Sequence, residues 1–202
     1  LKPISNEEAL AFITKNAKRE YKSFCDLICT FITLMKTNLE TPESVIKRIP
    51  ESDKRSHAFL TLLSPIFLKY QNYLISSGKI DFNDLINKSV DLVKNSKTTG
   101  SYKYIIVDEY QDIAPNRFKL LKELATNSPG CKLFVVGDDW QSIYRFGGSD
   151  ISFISSFTKF FPNAAVSKIE KTYRFNEPLL SVSSNFIKAN PYQITKSLIP
   201  KS

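Results

Sequence analysis

Tyr104-Ile105-Ile106-Val107-Asp108-Glu109-Tyr110-Gln111-Asp112 is the stretch on which the fold turns. Its first four residues form a short continuous apolar run, the pattern of a buried strand in a parallel sheet. Two adjacent carboxylates follow at the strand's end. There one can hold magnesium, usually through water, and the other can accept a proton from an attacking water. Asp108 is assigned to the metal and Glu109 to the base. An acidic helix-capping turn fits the same stretch equally well, so the flanking sequence has to separate the two.

Downstream, Pro115 opens a helix bearing Phe118, Leu121 and Ala125, and Asn127-Ser128-Pro129-Gly130 stops it. Leu133-Phe134-Val135-Val136 reads as a second buried strand. Ser149-Asp150 caps a helix carrying Ile151, Ile154 and Phe157, and Phe161-Pro162-Asn163 closes it. Val166 to Lys171 reads as a third strand, followed by a helix from Asn176 to about Ala189. Strands alternating with helices at this spacing predict an α/β fold with a parallel sheet. In such sheets function gathers at the carboxyl ends of the strands, which is where the polar clusters of this chain fall.

The second cluster, Gly137-Asp138-Asp139-Trp140-Gln141-Ser142-Ile143-Tyr144-Arg145-Phe146-Gly147-Gly148, follows the second strand directly. Gly137 lets the backbone turn sharply, and Gln141 can hydrogen-bond a phosphate or an attacking water. Tyr144 and Phe146 offer flat faces for base stacking, and Arg145 between them suits single-stranded nucleic acid. Taken alone, a Tyr-Arg-Phe run is more often a loop with buried aromatics, but its adjacency to the acidic strand end lowers those odds. The third cluster is Lys171-Thr172-Tyr173-Arg174-Phe175-Asn176. Arg174 can stabilise the charge of a transferring phosphoryl group, and Tyr173 can stack on an adenine. Without the other two clusters a surface arginine would be the better reading.

Upstream, residues 1–78 read as helices. Ser5-Asn6-Glu7-Glu8 has the capping-box pattern before Ala9, Phe12 and Ile13. Phe24, Leu27, Ile28, Phe31, Ile32, Leu34 and Met35 form a stripe wide enough to be buried on most sides. Thr41-Pro42 sets a cap and a first-turn proline. Phe59, Leu62, Leu63, Ile66, Phe67, Tyr70 and Leu74 continue the pattern, with Pro65 kinking or splitting that helix and Gly78 ending it. These stripes read as core packing. Asp81 caps a further helix with Phe82, Leu85, Ile86, Val90 and Leu92, and Lys97-Thr98-Thr99-Gly100-Ser101 makes a polar turn.

Composition narrows the classes. The 202 residues carry a formal net charge of +8, and residues 113–202 hold 12 Lys and Arg against 6 Asp and Glu. A basic surface favours polyanions such as nucleic acid. Cys25 and Cys29 lie one helical turn apart with Cys131 remote, neither a disulfide framework nor a zinc spacing, so a reducing, cytoplasmic setting is expected. No stretch approaches the roughly 20 apolar residues of a membrane span. His57 is the sole histidine, which argues against histidine-based metal sites and triads.

Read together, the three clusters resemble the superfamily one DNA helicases of the UvrD and Rep type. IIVDEYQD is similar to their motif II, VVGDDWQSIYRFGG to motif III and IEKTYRFNEPL to motif IV, over about residues 81–190. The GDDWQ and TYRFN variants look most like those of the bacterial DNA helicase IV group. The resemblance implies a RecA-like motor domain of the P-loop NTPase type, with ATP and Mg2+ as cofactors, single-stranded and duplex DNA as partners, and 3′ to 5′ unwinding. By position it implies that Asp108 coordinates magnesium through water, Glu109 activates the lytic water and Gln141 senses the γ-phosphate. It likewise implies that Tyr173 stacks on adenine, that Arg174 reaches the γ-phosphate, and that Tyr144 and Phe146 contact single-stranded DNA. Family members more often have tryptophan at the Phe146 position. Asp81-Phe82-Asn83-Asp84-Leu85 resembles a family segment joining a helical insertion to the sheet.

The implied organisation is an α-helical accessory insertion over residues 1–78, a RecA-like core over 79–165, and over 166–202 the motif IV segment leading to a second motor domain. None of the six glycines begins a G-x-x-x-x-G-K-[ST] phosphate loop. The chain is therefore expected to be the middle of a larger protein, without motifs V and VI, and to turn over little or no ATP by itself. Two rival readings stand beside this one: a non-motor module that keeps the fold for binding DNA or a partner, and part of a helicase-nuclease subunit.

Overall fold

A computed structural model describes residues 5–95, 100–191 and 193–200. The chain divides into two compact units, residues 1–91 and 92–202. Lys97, Thr98 and Thr99 of the expected polar turn lie outside the described residues.

The first unit is helical: α1 (Asn6–Asn16), α2 (Lys18–Thr37), α3 (Pro42–Ile46), α4 (Lys54–Ser76) and most of α5 (Phe82–Lys94). The starts follow the expected caps. Ser5 Oγ accepts from Glu8 N at 3.2 Å while Glu8 Oε2 accepts from Ser5 N at 2.9 Å, and Thr41 and Ser44 repeat the exchange ahead of Pro42. Asp81 Oδ1 accepts from Asp84 N at 2.8 Å to start α5. Gly78, at φ +63°, closes α4: Lys79 N bonds Leu74 O at 2.8 Å and Gly78 N bonds Ile75 O at 3.2 Å. This left-handed cap is open to glycine at little cost.

Ile28, Ile32 and Met35 of α2 pack on Leu60, Leu63 and Phe67 of α4, and Phe31 meets Phe59 at 4.7 Å between ring centres. Each such buried side chain is worth about 1.5–3 kcal/mol of transfer free energy. Two expectations need correction. The α2 stripe is buried on one face only, with Phe24 and Leu27 exposed, because the core it joins, built from α4 together with Val45 and Ile46 of α3, meets that face alone. Pro65 does not split α4, which runs unbroken through it. Burial of Leu63 and Phe67 on either side outweighs the one backbone bond the proline removes.

The second unit holds β1 (Tyr104–Val107), α6 (Pro115–Thr126) and β2 (Lys132–Val135), with β1 and β2 parallel from Tyr104↔Lys132 to Val107↔Val135. It continues through α7 (Ser152–Ser155), α8 (Phe157–Phe160), β3 (Lys171–Thr172), α9 (Glu177–Lys188) and β4 (Ile199–Pro200). Tyr110, Ile113, Phe118, Leu121 and Phe153 form its core against the inward residues Ile105, Val107, Leu133 and Val135. Phe118 and Phe153 stack at 4.1 Å.

Here too the structure departs from expectation. The strands are half-buried, with Ile106 72% and Phe134 62% exposed, because the described helices cover one face of the β1–β2 pair. The single helix expected after Ser149-Asp150 is two short ones broken at Ser156, and the N-cap of the first is Ile151; Asp150 Oδ1, one residue earlier, accepts Ser152 N at 2.9 Å. The third strand shrinks to Lys171–Thr172 and pairs with β4 instead of joining β1–β2. The described chain is thus mixed and largely helical, with two small parallel sheets rather than one continuous sheet. Among the described residues no helix is long and apolar enough to cross a membrane.

Candidate functional site

The parallel register brings the ends of β1 and β2 level, so the loops that follow them meet. Tyr110 N donates to Val136 O at 2.9 Å, which turns the chain back at the tip of β2. The turn forces Glu109 into the left-handed region at φ +50°, a strained position for a residue with a side chain. The buried Gln111 carboxamide braces it, donating from Nε2 to Glu109 Oε2 at 2.7 Å and accepting Asp138 N at Oε1 at 2.9 Å. Gly137 is required at this crossing, since an added Cβ would stand 2.7 Å from Gln111 Oε1.

Asp108 and Glu109 are both exposed at the end of β1. Asp108 Oδ1 accepts Glu109 N at 2.8 Å, so each carboxylate uses one oxygen internally and leaves the other without a protein donor among the described residues. That donor set fits a magnesium ion that takes one carboxylate and fills its remaining positions with phosphate oxygens and water. No group of three His, Cys, Asp or Glu that could cage a metal occurs among the described residues. Below the pair, Asp112 Oδ1 is buried without a partner. Burial, with the charge of Glu109 added, raises the Asp112 carboxyl above the usual range. Burial also pushes the Tyr110 hydroxyl up to about 12.

The loop after β2 is built around Asp138. Its Oδ2 accepts Gln141 Nε2 at 2.7 Å, and its Oδ1 accepts Trp140 N at 3.0 Å and the Lys196 ammonium. Burial alone would raise this carboxyl, but the hydrogen bonds from Gln141 and Lys196 and the lysine's charge outweigh it and hold Asp138 below its ordinary range. Gln141, Tyr173 and Arg174 line one open cleft of about 750 Å3 together with Asp138, Trp140 and Lys171. Thr172 Oγ1 accepts Arg174 N at 3.3 Å, and the Lys171 ammonium stands 5.7 Å from the centre of the Tyr173 ring.

Of the residues singled out in the sequence, Gln141, Tyr173 and Arg174 therefore converge. Asp108 and Glu109 do not line that cleft but connect to its loop through Gln111. Tyr144, Arg145 and Phe146 lie outside it, the last two on the exposed turn Arg145–Gly147 and Tyr144 just before it, with the two rings 5.9 Å apart. Sequence reasoning passed over Gln111, Asp138 and Lys196. Gln111 stood within the quoted acidic stretch and Asp138 beside Gln141, but Lys196 lies 58 positions from Asp138 and carried no local signal.

A family model described as the UvrD/REP helicase N-terminal domain matches residues 2–162. The chain is 32% identical to DNA helicase IV of Escherichia coli over 169 residues, covering 83% of this chain and 25% of that protein. It is 37% identical to the ATP-dependent DNA helicase PcrA of Bacillus subtilis over 142 residues, 68% of this chain and 19% of that protein. It is 30% identical to the ATP-dependent DNA helicase Rep of Buchnera aphidicola over 203 residues, 96% of this chain and 30% of that protein. The chain thus spans 30% or less of the length of each of these relatives.

Proposed function

The chain belongs to the UvrD/REP helicase family, and we propose that it is the central part of an ATP-dependent motor that moves 3′ to 5′ along single-stranded DNA and unwinds duplex. The observation that supports this most directly is the cleft shared by Gln141, Tyr173 and Arg174, three side chains suited to a nucleoside triphosphate. In this reading Tyr173 stacks on the adenine, Arg174 neutralises charge on the γ-phosphoryl group and Gln141 senses that group. Asp108 holds Mg2+ through water, and Glu109 takes the proton of the lytic water. When bound, the metal and triphosphate supply the Lewis acid and the scissile bond. Tyr144, Arg145 and Phe146 contact single-stranded DNA through stacking and phosphate neutralisation. The β1–α6–β2 unit is read as part of a RecA-like core, with residues 1–78 as a helical insertion and the phosphate loop supplied by chain outside these residues. The three free cysteines fit a reducing, cytoplasmic setting.

The test is DNA-stimulated ATP hydrolysis and displacement of a strand from a 3′-tailed duplex by the full-length polypeptide. Glu109→Gln is expected to abolish hydrolysis while nucleotide binding persists; unchanged turnover would remove Glu109 as the base. The 202-residue chain alone is expected to show negligible turnover, and robust DNA-stimulated hydrolysis by it would overturn the proposed division of the site.

A further inference from the structure

Residues 193–200 lie across the loop that carries Gln141. Ile194 N donates to Asp139 Oδ2 at 2.6 Å, and Ile194 O accepts the Trp140 indole N–H at 3.1 Å. Lys196, largely buried, reaches Asp138 Oδ1 and, at 3.0 Å, Asp139 Oδ1, and its ammonium stands 4.7 Å from the centre of the Trp140 ring. The Lys168 ammonium donates to Thr195 O at 2.7 Å, and Ile199 N donates to Glu170 O at 2.8 Å, so the segment is also tied to the chain leading into Tyr173 and Arg174.

The charges give this arrangement a purpose. Two adjacent carboxylates, Asp139 nearly fully buried and Asp138 about one-third exposed, repel each other unless a cation lies between them. Lys196 is the cation that both contact. Asp138 is in turn the acceptor that fixes the Gln141 amide. A chain of contacts therefore runs from Lys196 through Asp138 to Gln141, at the wall of the cleft that also holds Arg174.

We propose that Lys196 is a positioning residue for Gln141: by neutralising the Asp138–Asp139 pair it sets the orientation in which Gln141 faces the cleft. It touches no reacting group and acts through Asp138. The functional weight of this contact rests on the reading of Gln141 as the γ-phosphate sensor, but the contact itself can be tested without nucleotide.

Trp140 is the only tryptophan of the chain, so its emission reports on the clasp directly. In the 202-residue chain, Lys196→Met is expected to shift Trp140 emission to the red, increase its quenching by acrylamide and move the Gln141 side-chain amide resonances toward those of a free amide. Lys196→Arg, which keeps the charge, is expected to restore all three, and circular dichroism checks that the helices survive. If Lys196→Met unfolds the chain, Lys196→Gln, which keeps a donor but no charge, is read in its place. Unperturbed Gln141 resonances in a folded, uncharged variant, or failure of the arginine to rescue them, would overturn the proposal. Perturbed resonances in this chain, together with a full-length polypeptide that binds no nucleotide, would leave the positioning role standing and count against the sensor assignment alone.

Discussion

The Gln111 carboxamide donates 2.7 Å to Glu109 Oε2 from a position that is itself 2% exposed, so the residue proposed as base is oriented from inside the core. The other end of the same amide accepts the Asp138 backbone N–H at 2.9 Å. Gln111→Ala removes both contacts at once: the exposed Glu109 carboxylate can turn to water, but the Asp138 N–H at the crossing of the two loops loses its acceptor. It is expected to lower stability by about 1–3 kcal/mol, the cost of leaving a buried polar group unmade. Urea unfolding reads this as a lower midpoint at unchanged slope. An unchanged midpoint would mean that water replaces the amide without loss.

Gly137→Ala tests the same crossing from the opposite side. The new Cβ would lie 2.7 Å from Gln111 Oε1 and 3.0 Å from both Tyr110 N and Ile154 Cδ1. The first neighbour is a side chain pinned by two hydrogen bonds and the second is backbone, so neither yields readily. A loss of about 1–3 kcal/mol is expected from overpacking. Part of that cost should disappear in the Gln111→Ala background, where the nearest atom is gone. Strict additivity in the double-mutant cycle would place the strain elsewhere.

Asp112 gives a pH dependence of opposite sign to an ordinary ion-paired carboxylate. Burial and the charge of Glu109 raise its folded pKa above 3.8. Its ionised form is therefore penalised in the folded protein: the penalty is full above the raised folded value and fades as pH falls through it toward 3.8. Asp112→Asn is expected to raise the melting temperature at pH 7, with the gain shrinking as the buffer is taken down to pH 4 and below. A gain independent of pH would assign the effect to packing rather than charge.

What the sequence made legible was local. The strand before Asp108, though not its full burial, the caps at Ser5, Thr41 and Asp81, and the helix stop at Gly78 are set by neighbouring residues, and the structure bears them out. The residues expected from Val166 to Lys171 to form a strand show why the rest was not. A strand needs a partner, and only Lys171 and Thr172 find one, in Ile199 and Pro200 far along the chain. Gln141, Tyr173 and Arg174 could be named from their motifs, but their shared cleft depends on the chain folding back. The brace at Gln111 and the cation at Lys196 are contacts between segments 27 and 58 residues apart, which no window along the sequence contains.

The first unit offers a test free of any assumption about nucleotide. Lys36 is 4% exposed, pairs with Asp81 at 2.5 Å and Asp84 at 2.9 Å, and lies 4.9 Å from the centre of the Tyr70 ring, whose hydroxyl donates to Asp81 at 3.1 Å. Lys36→Met keeps the length and apolar stem of the side chain but leaves two carboxylates facing each other without their cation. Breaking a buried pair from one side typically costs about 3–5 kcal/mol. Burial alone would raise Asp81, but the Lys36 hydrogen bond and the other contacts outweigh it and lower its folded pKa below 3.8. The stability it contributes is present above 3.8 and is lost as pH falls through the lowered folded value. The difference between Lys36→Met and the parent chain is therefore expected to be largest near neutral pH and to close in acid. Added salt should change it little, because the pair is shielded from counterions. If instead the difference vanished in high salt at pH 7, the three residues would be acting as a solvated surface cluster, and the burial of Lys36 would not hold in solution.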